Sequence, residues 1–432
     1  MKNSIIKRLI IISLALAVVL SGTTVSANIV LSKRETNKYI NTIAHRQMSV
    51  VTNPTFSSAG GEWCVMGLAR AGKITNAYKE TYKKNLKKEL DKTKGELSKT
   101  NFTAYSRVVI ALTSISENPF NFKGYDVISP LAEFENVTKQ GLNGAVYALL
   151  ALDCGGYTNV SPRAGYDGKI GTSEKYKNGI VDAALPKGGW TLFGKKADVD
   201  MTAIVIQALA PYYKEKKVKA VVDEGLSFLS KMQKTNGGFN SMWDENCESS
   251  AQVLAAISTL GISVKDKRFV KNKHTVLDGL MSYYKNGAFK HLKSGDINQM
   301  STDQAFYALV AYRNNLANDP PLFNMKKVAV KKKYRKPAKQ KKKIRKKNQS
   351  KSSNNIEETT AKNKTKEKKK TKIEKESKPI PTTAQVEIKK PEKKEKHNDK
   401  DTGAPWFWVG FGIIVAGGAG FIIYKKVGRK NV

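Results

Sequence analysis

A set of polar and aromatic side chains recurs where the apolar helical segments of this sequence begin. Carboxylates make up much of the set and one arginine accompanies them, which suits a polar or cationic ligand better than an anionic phosphate. If the segments lie side by side, these side chains line a concave mouth of the kind that binds ligands. The candidate ligand-binding residues are Glu62, Trp63, Tyr105, Arg107, Gln140, Asn143, Asp198, Asp200, Glu248, Gln299 and Asp303.

Asp198 and Asp200, which precede one of these segments, have a second possible chemistry. A carboxylate at a helix N-terminus accepts hydrogen bonds from free backbone N–H groups and complements the helix dipole. Glu248, Ser249 and Ser250 repeat that chemistry in a later segment. The sequence therefore leaves two interpretations open for the whole set: helix caps and loop anchors, or groups that contact a ligand.

The elements that must position these residues are helices. Apolar segments alternate with amphipathic or polar ones, and nothing reads as an alternating strand of useful length. The apolar segments are 63–71, 105–115, 142–152, 201–212, 250–260 and 302–312, and the amphipathic or polar ones are 37–51, 76–92, 126–139, 172–185, 216–233 and 272–285.

The last three apolar segments align without gaps, so that Thr202, Ser250 and Thr302 fall in register. Segments that are apolar nearly all round must be buried on most sides. We therefore predict an all-α fold, an (α/α)6 toroid of helical hairpins in which buried inner helices form a closed ring covered by outer ones. An open solenoid is the alternative, but its terminal repeats would need polar outer faces, and the last segment is as apolar as the others.

A local pattern adds a family resemblance. The residues F-L-x-x-x-Q-x-x-x-G-x-F at 228–239 resemble the QW motif of the prenyltransferase and squalene-oxidase repeat, and shorter copies lie at 188–190 and 287–289. We expect Gly237 to permit the turn from an outer to an inner helix, and Gln233 to bond the backbone of that turn. The resemblance implies an α/α toroid over about residues 37–315. Proteins with these repeats include cyclases, prenyltransferases, vitamin B12 carriers and surface proteins.

The stretch from Asp198 to Ala203 is also similar to the D-x-D-D-T-A motif of class II terpenoid cyclases. That resemblance implies that Asp200 is the catalytic acid, which donates a proton to an alkene. Such an acid needs apolar surroundings and a supporting carboxyl to stay protonated near neutral pH. The last Asp of the motif is Met201 here, and the chain has room for one helical barrel where triterpene cyclases have two. A cyclase-like enzyme is the alternative to a ligand-binding domain.

Metal binding is a weaker possibility. Protein prenyltransferases share the repeat and hold zinc with an Asp, a Cys and a His, for which Asp244, Cys247 and His291 are the counterparts here. The Asp and Cys are three residues apart where the family has two, so we predict no metal, and we predict no cofactor. The three cysteines, which include Cys64 and Cys154, flank apolar segments and are predicted to be small buried hydrophobes.

Charge is concentrated near the C-terminal end. The chain has 76 Lys and Arg against 37 Asp and Glu, a net charge of +39. Residues 326–401 hold 30 basic and 10 acidic residues, a net of +20, and few apolar ones. Such a segment cannot bury enough apolar surface to fold, so it is predicted to be a disordered stalk. We expect it to contact anionic cell-wall polymer and not nucleic acid.

Both ends of the chain resemble targeting signals. Basic residues precede an apolar run at 9–20, and small residues at 25–27 offer a cleavage site, which predicts a signal peptide over 1–27. Residues 406–424 are uncharged, apolar and long enough to span a bilayer, and a basic tail at 425–432 follows. We expect a single-pass cell-membrane protein with its folded domain, 28–325, outside the cell and an anchor at 402–424.

The C-terminal arrangement resembles a Gram-positive sortase signal, because Thr402-Gly403 stands before an apolar span and a basic tail. The Leu-Pro that precedes such a Thr-Gly pair is replaced by Asp399-Lys400. This difference argues against covalent attachment to the wall. We therefore expect a Gram-positive surface protein that is retained in the membrane and binds an unidentified small-molecule or surface ligand.

Overall fold

The computed structural model describes residues 29–241 and 244–329. The predicted signal peptide, the anchor, the cytoplasmic tail and all of the predicted stalk beyond Ala329 lie outside these residues. Within them the all-α prediction is confirmed, because helices form the core and the strands are limited to two short antiparallel pairs. None of the described helices is both long enough and apolar enough to cross a membrane.

Inner and outer helices alternate along the described chain. The inner helices are α2 (Trp63–Ala71), α4 (Phe102–Ser114), α6 (Gly141–Cys154), α8 (Val199–Leu209), α10 (Cys247–Thr259) and α12 (Gln299–Leu316). The outer helices are α1 (Lys33–Val50), α3 (Asn76–Lys92), α5 (Phe134–Thr138), α7 (Ser173–Asp182), α9 (Lys216–Met232) and α11 (Val276–Met281), and a last short helix, α13 (Lys326–Ala329), follows α12. Strands β1 (Val270–Lys271) and β2 (His274–Thr275) pair before α11, and β3 (Tyr284–Lys285) and β4 (Ala288–Phe289) pair after it.

The inner helices contact one another in chain order and close on themselves. Helix α2 packs on α4, α4 on α6, α6 on α8, α8 on α10, α10 on α12, and α12 again on α2. Almost every residue of these helices is buried, as expected for segments that are apolar nearly all round. The closing contact between the last and the first inner helix is what an open solenoid would lack.

The turns from outer to inner helix follow the QW pattern. The side-chain amide of Gln233 donates to the carbonyls of Gly237 at 3.2 Å and Phe269 at 3.0 Å. Gly237 has φ +85°, and a Cβ there would lie 2.0 Å from the Thr275 carbonyl oxygen, so only glycine fits. Phe239 is fully buried. The expected backbone role of Gln233 is therefore observed.

The register of the last three inner helices has a matching hydrogen bond in each repeat. The Thr202 hydroxyl accepts from the Trp190 backbone N–H at 3.0 Å, and the Thr302 hydroxyl accepts from that of Phe289 at 3.0 Å. Ser250 and Phe239 make the same contact at 3.3 Å. In each case a hydroxyl near the start of an inner helix holds the aromatic residue of the preceding turn.

Two outer segments differ from their predicted form. Segment 126–139 is broken into a 3₁₀ turn, Ser129–Ala132, which contains Pro130, and the short helix α5. Segment 272–285 contains a β-turn in which Asn272 and Lys273 both have positive φ, as in hairpin turns, so helix α11 is limited to six residues. In both places local turn chemistry overrides the amphipathic pattern.

The C-terminal limit of the folded region also differs from the predicted one. Residues 326–329, which were assigned to the disordered stalk, form α13 and pack on α4. Ala329 is 3% exposed and Met325 is fully buried, and the Met325 N–H donates to the Cys154 carbonyl at 2.8 Å. Met325 and Ala329 are apolar positions within a basic stretch, and they attach its beginning to the inner ring.

Candidate functional site

The first residues of neighbouring inner helices contact one another, so these helices begin at the same end of the ring. We call that end the mouth. Asp303 of α12 contacts Gly60, which lies just before α2, and Glu248 of α10 contacts Ser301 of α12. The Gln140 side chain, before α6, accepts from the Thr103 N–H of α4 at 2.9 Å. Asp303, Glu248 and Gln140 therefore lie at this end of the ring.

Asp303 is held by three hydrogen bonds. Its carboxylate accepts from the Gly60 N–H at 2.7 Å and from the side-chain amides of Gln47 at 2.5 Å and Gln299 at 2.9 Å. Burial raises the pKa of Asp303 to about 7, although these hydrogen bonds lower it. Asp303 and Gln299 therefore tie α12 to α1 and to the turn before α2, which is an anchoring role.

Glu62 and Arg107 form a buried ion pair between neighbouring inner elements, from the residue before α2 to helix α4. Arg107 Nε lies 3.5 Å from Glu62 Oε2, and the Tyr82 hydroxyl donates to Glu62 Oε1 at 3.2 Å. Burial raises the pKa of Glu62 to about 7, and the Arg107 charge opposes that rise. At 3.5 Å the contact is longer than a close charge-assisted hydrogen bond.

Glu248 pairs with a residue that the sequence suggested only as a zinc ligand. The Glu248 carboxylate lies 2.7 Å from His291 Nδ1 and accepts from the Ser301 hydroxyl at 2.6 Å. Cys247 is fully buried and its N–H donates to the His291 carbonyl at 3.1 Å. Among residues 29–241 and 244–329, no three His, Cys, Asp or Glu side chains are grouped so as to hold a metal ion.

Asp198 is the N-cap of α8. Its Oδ1 accepts from the Met201 N–H at 2.7 Å, and its Oδ2 accepts from the Leu192 N–H at 3.0 Å. Burial raises the pKa of Asp198 to about 6, against the effect of these backbone hydrogen bonds. Asp198 therefore acts as a helix cap, which is one of the two interpretations that the sequence left open.

Asp200, unlike Asp198, is not the N-cap of α8. It lies in the first turn of α8, and its Oδ1 is buried with no hydrogen-bond partner in the described part of the chain. Burial raises its pKa to about 7, and the nearby charges of Asp198 and Glu248 add to the rise. The hydroxyls of Ser249 and Ser241 oppose it. A buried carboxyl oxygen without a partner costs free energy, so its retention calls for a functional explanation.

Aromatic side chains fill the ring below the mouth. Trp63 packs against Tyr147 with ring centroids 5.9 Å apart and against Tyr307 at 6.0 Å. The indole Nε1 of Trp63 is buried and has no hydrogen-bond partner among residues 29–241 and 244–329. The mouth thus combines an unpartnered acceptor on Asp200 with an unpartnered donor on Trp63.

The remaining candidates have structural partners or lie beside them. Gln140 also bonds the side chain of Asn101, the N-cap of α4, at 3.2 Å. Tyr105 is buried, and its hydroxyl accepts from the Ser98 N–H at 3.5 Å. Asn143 is buried within the first turn of α6. Gln140 and Tyr105 anchor the loops around α4.

An open pocket of about 290 Å³ lies beside the start of α8. Asp198 and Ser241 line it together with the exposed side chains of Phe193 and Lys196. Asp198 and Val199, which immediately precede Asp200 in the chain, both line this pocket, whereas Asp200 itself does not.

For several other residues, the sequence gives no indication that they lie at or near the mouth. Gln47 lies on an outer helix, and Tyr82 lies on another. Tyr147 and Tyr307 read as ordinary apolar positions of inner helices. Their roles depend on ring closure, which brings together residues far apart in the chain.

Comparison with known proteins gives little further information. No protein-family model matches the chain, and no curated protein matches it. A solved structure that it resembles is ent-copalyl diphosphate synthase from Streptomyces platensis, at 14% sequence identity and a TM-score of 0.35. The match covers 60% of this chain and 50% of that one, so the chain spans about half the length of this enzyme. At this identity and TM-score, the match does not extend that enzyme's activity to this chain.

Proposed function

We propose that this chain is a membrane-anchored cell-surface protein whose (α/α)6 toroid binds a polar or cationic ligand at the mouth. The observation that carries the proposal is the buried Oδ1 of Asp200, which has no partner within residues 29–241 and 244–329. A ligand that supplies a donor or a positive charge would remove the cost of that unpaired oxygen.

The charge balance at the mouth supports a cationic ligand. Carboxyl groups outnumber basic ones there: Glu62, Asp198, Asp200, Glu248 and Asp303 stand against Arg107 and His291. Glu62 and Glu248 already face those basic groups, and Asp303 is satisfied by amides. Asp200 is left as the carboxyl that a bound cation would meet. The exposed ring of Phe193 at the adjacent pocket offers a surface for the apolar part of such a ligand.

The surface location is proposed from the sequence. The signal-like segment 1–27 and the apolar stretch 406–424 would place the toroid outside a Gram-positive cell membrane. The Lys-rich segment between toroid and anchor would act as a spacer that contacts anionic wall polymer, with an affinity that falls as salt rises.

A thermal-shift comparison tests the binding proposal. The full chain in detergent is screened against small amines and guanidines and, separately, against phosphates and carboxylates. We expect some of the cations, and none of the anions, to raise the melting temperature, and Asp200→Asn to remove that effect. Asp182→Asn, which neutralises an exposed carboxylate on α7, is the matched control and should keep it. Equal stabilisation of the wild type and Asp200→Asn would contradict the proposal.

A proton-donating enzyme of the terpenoid-cyclase type is the second candidate, and one observation favours it. Asp200 has a buried carboxyl oxygen and a pKa of about 7, and a second carboxyl, that of Asp198, lies two residues away. A carboxyl that stays protonated near neutral pH is what alkene protonation requires. Met201, in place of a further acid, is buried and supplies no proton. Turnover of squalene or a shorter polyprene by the wild type, and its loss in Asp200→Asn, would establish this function over simple binding.

A further inference from the structure

A second cavity lies at the opposite end of the ring from the mouth. It has a volume of about 130 Å³ and is formed by the last turns of α6, α8 and α10 together with the segment that follows α12. We call it the lower cavity. Its lining residues are Leu150, Asp153, Cys154, Gln207, Ala208, Ala210, Pro211, Thr259, Pro321, Phe323, Asn324 and Lys326.

The roof of the lower cavity is the segment 319–326, which crosses this end of the ring. The Arg70 guanidinium donates to the carbonyls of Pro320 at 3.2 Å and Pro321 at 3.1 Å. Leu322 and Met325 are fully buried, and Phe323 is 8% exposed. The roof is therefore a packed part of the fold.

Two side chains that line the lower cavity carry buried oxygens without partners in the described part of the chain. These oxygens are Gln207 Oε1 and Thr259 Oγ1. The Gln207 side chain is 2% exposed, and its amide nitrogen donates to Gln252 Oε1 at 3.0 Å. This hydrogen bond identifies the oxygen, Oε1, as the atom of the Gln207 amide that has no partner in the described part of the chain. Buried polar atoms are nearly always paired. We therefore infer that a ligand or solvent in the cavity bonds both oxygens.

The wall also contains the polar side chains of Asp153, Asn324 and Lys326. The Asp153 carboxylate accepts from the hydroxyls of Ser173 and Tyr212, each at 2.7 Å. The rest of the wall is largely apolar, with Leu150, Pro211 and Phe323 among its members. The cavity thus presents two unpartnered oxygens, an acceptor and a hydroxyl, in a wall that is mostly apolar and also holds Asp153, Asn324 and Lys326.

From these observations we propose that the lower cavity binds a small, uncharged amphipathic molecule with a hydroxyl or similar donor on an apolar body. Its donor would bond Gln207 Oε1, and the Thr259 hydroxyl would donate to its oxygen. The volume is near that of cavities that hold a benzene ring, so a ligand of about seven non-hydrogen atoms fits. The site is independent of the mouth and of the function proposed there.

A matched pair of fluorinated probes tests the proposal by fluorine NMR on the full chain. We expect 4-fluorophenol to bind about tenfold more tightly than fluorobenzene, because only the phenol has the donor. Thr259→Val, which removes the hydroxyl and keeps the shape, should weaken phenol binding about fivefold and leave fluorobenzene unchanged. Thr42→Val, on the exposed face of α1, is the control and should change neither affinity.

The location is tested by filling the cavity. Ala210→Leu adds a side chain to the wall without removing either unpaired oxygen, and it should abolish binding of 4-fluorophenol. Phe323→Ala, which opens the roof, should weaken binding as well, so that one of these variants suffices if the other does not fold, as judged by circular dichroism. Equal affinity for the two probes, no detectable binding of either, or phenol binding that survives Ala210→Leu would each overturn the proposal.

Discussion

Asp198 and Asp200 lie two residues apart at the start of α8, the first as its N-cap and the second in its first turn, and their carboxyl groups have different environments. Asp198 accepts two backbone hydrogen bonds, whereas Oδ1 of Asp200 accepts none from the described residues. The first carboxyl therefore stabilises the start of the helix. The second has a buried oxygen without a partner in the described part of the chain, which costs free energy, and it is the group that we assign to ligand binding.

The capping role of Asp198 predicts a specific pattern of stability. Asp198→Ala removes both accepted hydrogen bonds and should lower the free energy of unfolding by about 1–2 kcal/mol. Asp198→Asn keeps an oxygen for the Met201 N–H and should cost less than the alanine change. Urea unfolding of the variants at one pH measures the difference. Equal losses for the two variants would show that the cap does not contribute.

The raised pKa of Asp200 predicts that this residue makes the fold less stable as pH rises. Its pKa is about 7 in the folded chain, against an ordinary value of 3.8. The folded state thus binds more protons than the unfolded state between about pH 4 and 7, and stability falls as pH rises through that window.

The difference between Asp200→Asn and the wild type isolates Asp200 and the charges coupled to it, because groups that do not interact with Asp200 titrate equally in both proteins. The stability of Asp200→Asn relative to the wild type should increase with pH between about 4 and 7, by at most about 1.4 kcal/mol for each pH unit. Chemical denaturation at several pH values gives the difference. A flat difference would show that the carboxyl titrates normally and is not buried as described.

The attachment of residues 326–329 to α4 predicts where the chain can be shortened. A chain that ends after Ala329 should melt close to the intact protein. A chain that ends after Met325 should melt lower, because it loses the buried Ala329 and the α13 contacts with α4. Differential scanning fluorimetry compares the two. The same melting temperature for both would show that residues 326–329 do not stabilise the fold, and that the folded domain ends at residue 325 as the sequence predicts.

The proposed topology predicts protease sensitivity in intact cells. External protease should remove the toroid from whole Gram-positive cells that express the chain, and detergent should extract the uncleaved protein. Immunoblotting of cells and extracts follows both results. Protection of the toroid in sealed cells would contradict the outward orientation, and covalent linkage to peptidoglycan would contradict retention in the membrane alone.

The sequence predicted the repeating parts of the structure and missed the parts that depend on ring closure. The backbone role of Gln233 could be assigned because Gln233 belongs to a motif whose turn residue, Gly237, lies four positions away. Asp198 and Asp200 could not be separated, because capping depends on where a helix begins to within a residue. The Glu248–His291 pair joins residues 43 positions apart, and no local pattern indicates it.

The most direct test of the central claim is the affinity of the mouth for a cation identified by the thermal-shift screen. Titration calorimetry would compare the wild type with Asp200→Asn at pH 8, where the carboxyl is ionised. We predict that the substitution weakens binding by about 1.5–3 kcal/mol, a factor of roughly ten or more, as expected for a lost charge-assisted hydrogen bond. We also predict that wild-type affinity rises with pH through about 7, in line with the raised pKa of Asp200. Unchanged affinity in Asp200→Asn would contradict the account.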